Sequence, residues 1–358
     1  MKLRVLLSLL VCVAVPPCVA QSSPPVRPTE KQTFSPPSRT FRFTYSFTVK
    51  DIPAGTKVVR VWFPQATRDR YQDALLVSMS APAPTRLGKD PEYGNVIVSS
   101  EIHDPPAGQS YTWTWVYEIT RREYSRGDYV QLERKDSRPT VVPASMTRYV
   151  QADTLIPTDG KIKALAEQVT VSQPGTVAKA KAAYDYFFTN FRYDKTGTGW
   201  GRGDAVWACD SKHGNCTDFH SPFIGVLRAD GIPARFDIGF PIAENKDKGD
   251  IAGYHCWAEF YAPKIGWIPV DISEAWKAKE KENYFFGSVD ANRVQLSTGR
   301  DITLSPKQDG APLNYFVYPY VELDGKPYEA IGKQFSFEEV KSVEQRAPPK
   351  APVGSPGG

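Results

Sequence analysis

From residue 41 to about 123 the chain alternates apolar and polar residues in short runs: "FRFTYSFTV", "TKVVRVWFP", "NVIVSSEI" and "YTWTWVYEI". Turn-forming segments such as "IPAG", "DPEYGN" and "DPPAG" separate them. A period of two turns one face of each run toward a core, so this region predicts an antiparallel β-sandwich. After residue 160 the period changes. "TDGKIKALAEQVT" and "TVAKAKAAYDYFFTNFRY" carry helical spacing, and residues 214–235, "GNCTDFHSPFIGVLRADGIPAR", predict a third helix. That helix opens on Asn215, a good N-cap, and stops at Gly-Ile-Pro. Strand-like runs then return: "ARFDIGFPI", "YHCWAEFYA", "GWIPVDIS", "RVQLS" and "NYFVYPYVEL". Helices followed by strands predict a segregated α+β domain.

The flanks have other compositions. "MKLRVLLSLLVCVAVPPCVAQ" has a basic start, a short apolar run and small residues up to Ala20, the pattern of a cleavable signal peptide. The expected protein is therefore exported, to the periplasm or beyond. A lipid anchor on Cys18 is disfavoured by Pro16 and Pro17 immediately before it. The expected plan is a leader at 1–20, a Pro/Ser-rich linker at 21–40 and the sandwich at 41–123. A connecting segment follows at 124–160, then an α+β catalytic domain at 161–345 and a disordered Pro/Gly tail at 346–358. No later run is long enough to span a bilayer. Lys+Arg of 44 against Asp+Glu of 40 is too even a balance to point to nucleic acid.

Loss of the leader removes Cys12 and Cys18 and leaves Cys209, Cys216 and Cys256. With Asn215 as N-cap, Cys216 is the first helical residue. Its backbone N–H then lacks an intrahelical acceptor, and the helix dipole favours its thiolate. Both properties suit a nucleophile with half an oxyanion hole. His255 is the best-placed base. If Tyr261 pairs with Trp267 across a five-residue loop, Asp271 falls opposite Trp257 on the His255 face and can orient the imidazole. A four-residue loop would put it on the other face.

The blocks "GNCTDF…LRADGIPARF", "YHCWAEFY" and "GWIPVD", in this order, resemble the transglutaminase-like superfamily, which shares its core with papain-type cysteine peptidases. The resemblance covers roughly residues 165–305. It implies that Cys216 is the nucleophile, His255 the general base and acid, and Asp271 the orienting carboxylate. It also implies acyl transfer from a protein or peptide substrate through a thioester, without a cofactor. His220 departs from the pattern, which has a small residue there, and is expected to narrow or polarise the site. Trp200 and Trp207 are candidates for the second oxyanion donor, and His213, His220 and Trp257 for lining the site.

Two other readings compete. Cys209, His213, Cys216 and His220 are spaced closely enough for structural zinc. A non-catalytic binding protein with a vestigial thiol is the second. The remaining cysteines have their own expectation. Cys256 should point away from the active face, and an oxidising compartment favours a Cys209–Cys256 disulfide.

Overall fold

The computed structural model describes residues 36–127, 129–135 and 141–340. The expected leader, most of the linker and the tail lie outside the described residues. The first strand, Ser38–Val49, begins inside the segment expected as linker. Its alternation is the one the sequence shows: Phe41, Phe43, Tyr45, Phe47 and Val49 are all buried.

This strand lies at the centre of a five-stranded sheet. The order is Lys248–Asp250, Ile331–Glu339, Ser38–Val49, Tyr111–Arg122 and Gln72–Ser80. A second five-stranded sheet runs Lys326–Pro327, Tyr320–Leu323, Val58–Pro64, Val96–His103 and Thr85–Lys89. Aromatic side chains fill the space between them. The Tyr45 and Phe63 rings stack at 5.9 Å, and Phe63 meets Phe47 at 5.2 Å and Trp115 edge-on at 4.7 Å.

One boundary differs from expectation. Tyr320–Leu323 pairs with Val58–Pro64, and Ile331–Glu339 pairs with Ser38–Val49, so these C-terminal strands complete the sandwich sheets. They were expected within an α+β domain at 161–345. The reason is the open edge that each N-terminal strand would otherwise present. The α+β region is thus enclosed between strands of the sandwich.

That region holds the helices Gly160–Thr170, Thr176–Asn190 and Cys216–Ala229, close to the helical runs read from the sequence. Three short helices were not foreseen, Ala205–Ser211, Ile272–Lys277 and Glu282–Phe285. The second interrupts the run "GWIPVDIS", whose strand stops at Val270 because Asp271 caps the following helix. The segment expected as an irregular connection contains the helix Tyr129–Lys135 and a 3-10 turn at Ala144–Val150. A four-stranded sheet completes the region, in the order Gly266–Val270, His255–Ala262, Ala234–Pro241 and Arg293–Thr298. Helix Cys216–Ala229 lies against its two central strands and is buried from Cys216 to Arg228. An apolar helix with no solvent face belongs at the centre of a core.

Phe63 is the common contact of the sandwich aromatics, and Phe63→Ala is expected to cost about 3–5 kcal/mol. Denaturant unfolding of the two proteins measures it; a loss below about 1 kcal/mol would mean the cavity collapses or the packing is loose.

Candidate active site

The start of helix Cys216–Ala229 is held by reciprocal caps. The Asn215 side chain accepts the Thr217 N–H at 2.9 Å, and the Asp218 carboxylate accepts the Asn215 N–H at 2.9 Å. Asp218 also accepts the Gly201 N–H at 2.7 Å and the Gly203 N–H at 3.1 Å, drawing the loop 200–203 onto the helix start. Two glycines make this possible. A Cβ on Gly214 would collide with the Asp218 carboxylate. Gly203 has a φ of +62°, and a Cβ there would stand 2.6 Å from Ser221 Oγ. Asn215 Nδ2 donates to the Tyr254 hydroxyl at 2.9 Å, which connects the cap to the residue preceding His255.

The His255 strand and its neighbour pair in the expected register, with Tyr261 opposite Trp267 and Ala258 opposite Val270. Asp271 follows immediately and is fully buried. Its Oδ2 accepts from His255 Nε2 at 2.7 Å and from Arg293 Nη1 at 3.0 Å. Its Oδ1 accepts from Ser273 Oγ at 3.1 Å and from the Glu274 N–H at 3.0 Å. With Nε2 committed to Asp271, His255 Nδ1 is the nitrogen left to face the Cys216 sulfur, with which the ring interacts. The structure thus brings Cys216, His255 and Asp271 together.

Charge follows geometry. Burial pushes the Cys216 thiol up, but hydrogen bonds from Cys256 and His255 and the imidazolium charge bring it well below its ordinary value. Burial pulls His255 down, and the Asp271 charge and hydrogen bond outweigh it, raising the ring to about 10. Asp271 is pushed up by burial and held far below the usual carboxylate range by His255 and Arg293. Both shifts favour a thiolate beside an imidazolium.

The other candidates divide. Trp257 flanks His255, with ring centroids 6.2 Å apart. His220 is buried in the helix one turn after Cys216, where its Nε2 accepts the Ile272 N–H at 3.0 Å. His213 is not drawn in; its ring stands edge-on to Trp207 at 5.4 Å. Trp207 packs beside Gly199. The Trp200 ring lies 5.9 Å from the Lys195 ammonium. Among the described hydrogen bonds neither indole donates toward Cys216. The expected zinc quartet does not form a site: among the described residues no group of three or more His, Cys, Asp or Glu side chains is placed to hold a metal ion.

The disulfide expectation is corrected as well. Cys209, Cys216 and Cys256 are free thiols. The cysteine helix covers the Cys256 face of the strand, so Cys256 touches Cys216 and lies 3.8 Å from His220 Nδ1. His255 meets Cys216 from the first position of the strand. Sequence reasoning missed Arg293, the partner of Asp271; a lone arginine in the apolar run "RVQLS" was the available signal.

Residues 163–272 match the family model of the transglutaminase-like superfamily. The fold agrees. A structure of a candidate cysteine protease from Cytophaga hutchinsonii superposes with a TM-score of 0.57 at 15% identity, covering 86% of this chain and 93% of that one. An uncharacterized protein of Haemophilus influenzae is 26% identical over 348 residues, 84% of this chain and 90% of its own length. The uncharacterized protein YebA of Bacillus subtilis is 28% identical over 143 residues, 36% of this chain and 19% of YebA. The family match over this segment supports a cysteine-dependent enzyme in general.

The lowered Cys216 pKa and raised His255 pKa set a pH window. Alkylation of Cys216 by iodoacetamide should persist below neutral pH and fade as pH drops through the lowered thiol pKa. Cys256, pushed up by burial, and Cys209, pushed up to about 12 by burial, should stay unmodified there. The His255 charge stabilises the fold most fully below the ordinary imidazole value of 6.5, and that contribution is lost as pH rises through about 10. Peptide mapping without reduction checks both points: it should find an adduct on Cys216 and no Cys209–Cys256 link.

Proposed function

We propose that this chain is an exported cysteine-dependent acyl-transfer enzyme acting on a peptide or isopeptide amide of a protein substrate. The observation that carries the reading is the grouping of Cys216, at a helix start, beside His255, whose Nε2 is hydrogen-bonded to Asp271 at 2.7 Å. Export rests on the leader-like residues 1–20, which lie outside the described residues.

The steps follow from the charges. The Cys216 thiolate attacks the amide carbonyl carbon, and the oxyanion takes the free Cys216 N–H. The C–N bond breaks as His255 Nδ1 gives its proton to the leaving nitrogen, and the acyl group stays on sulfur as a thioester. Water or an amine then attacks the thioester, gives a proton back to His255 and releases the thiolate. Asp271 keeps Nε2–H occupied throughout, which fixes the ring so that Nδ1 faces sulfur. The family match and the resemblance of the three sequence blocks support the same chemistry.

Cys216→Ala and His255→Ala are each expected to abolish acyl transfer, and Asp271→Asn to reduce it roughly 100- to 10,000-fold. Activity should also fall as pH rises past about 10, where His255 no longer has a proton for the leaving group. Trapping the acyl-enzyme from a peptide mixture, followed by mass spectrometry, locates the acyl group. An acyl adduct on another residue, or undiminished turnover by Cys216→Ala, overturns the assignment.

A further inference from the structure

His220 is a buried imidazole that the acyl-transfer steps leave without a task. It lies four residues after Cys216, so both side chains share one face of the nucleophile helix. Its Nε2 accepts the Ile272 N–H at 3.0 Å. That amide is the first of the helix Ile272–Lys277, whose N-cap is Asp271. The first amides of a helix have no intrahelical acceptor, and Ile272 is fully buried, away from water. The Asp271 carboxylate cannot take this amide, because its two oxygens already serve His255, Arg293, Ser273 and the Glu274 N–H. His220 supplies the missing acceptor.

We propose that His220 is a positioning residue: by holding the Ile272 amide it fixes where Asp271 stands against His255, and so couples the nucleophile helix to the orienting carboxylate. This rests on the reading of Cys216, His255 and Asp271 as the reacting set. The role requires a neutral ring with its proton on Nδ1, which faces the Cys256 sulfur at 3.8 Å. The surroundings keep it so. Burial and the neighbouring His255 charge pull His220 down to about 4, against the opposing charges of Asp271 and Cys216. A proton on Nε2 would displace the Ile272 amide and turn the ring toward Asp271 Oδ1, 3.7 Å away. The Asp271–His255 contact would then have a competitor.

Two variants separate this role from filling space. His220→Leu keeps bulk and removes the acceptor, whereas His220→Gln can place a carbonyl oxygen near the Nε2 position. The rate of iodoacetamide modification of Cys216 in the full chain, followed by mass spectrometry from about pH 5 to 9, is the readout. His220→Leu should move the acid limb upward by about one pH unit and slow modification at pH 6 about tenfold. His220→Gln should stay within about threefold of the unmutated chain. Equal behaviour of the Leu variant and the unmutated chain, or of Leu and Gln, overturns the proposal. Failure of the underlying reading is separate: Cys216 of the unmutated chain would then react no faster below neutral pH than in His255→Ala. Should the Leu variant not fold, nitrogen NMR of the unmutated chain decides. A coupling across Ile272 N–H···Nε2 with Nδ1 protonated supports the role, and a protonated Nε2 overturns it.

Discussion

A carboxylate with no exposure to solvent is costly unless nearby donors replace its lost hydration. Asp271 is such a group, and the region around it is arranged by that need. Four donors converge on its two oxygens, from the His255 strand, from strand Arg293–Thr298 and from the first turn of the helix it caps. Each donor comes from an element whose place is thereby set relative to the others. The raised affinity of His255 for its proton is downstream of this one charge, whereas the lowered affinity of Cys216 for its own comes first from Cys256 and then from His255. His255 first and Arg293 second keep the carboxylate ionised, so His255 is oriented without surrendering its proton.

The sandwich contributes to the same arrangement. Gln72, on an edge strand of the sandwich, exchanges two hydrogen bonds with the Gln295 backbone, at 2.9 and 2.8 Å. Gln295 is two residues from Arg293 on the strand that supplies the Asp271 partner. The Trp257 ring is near two buried guanidinium groups, Arg293 at 4.9 Å and Arg121 of the sandwich at 5.9 Å. The β-rich region and the proposed reacting groups are therefore joined through buried polar and cation–π contacts.

Much of this was legible along the chain because it is local. Period-two runs found the sandwich, and the Asn215 cap found the helix start. The Tyr261–Trp267 register brought Asp271 to the strand carrying His255. What escaped detection depends on long-range pairing. Nothing in "NYFVYPYVEL" says that its strand joins Val58–Pro64 rather than its sequence neighbours, since an aromatic strand suits either sheet. Strand parity sent Cys256 away from the active face, and it failed because the nucleophile helix covers the Cys256 side while His255 reaches Cys216 from the strand's first position. The disulfide expectation failed on that point. His220 was noticed as a departure from the family pattern, while its partner amide, 52 residues away, was beyond reach.

The pairing of Ser38–Val49 with Ile331–Glu339 makes the first and last described strands neighbours in one sheet. A chain emerging from its N-terminus can form Ser38–Val49 against Tyr111–Arg122 early, yet the other edge stays open until residue 339 appears. Closure thus spans nearly the whole described length, a topology of high contact order and slow folding. An unfilled edge during that interval is also a template for pairing with another chain. The architecture makes completeness of the polypeptide a condition of its assembly, so a nascent chain interrupted before residue 331 would carry every group of the proposed reacting set and still lack a finished scaffold to hold them.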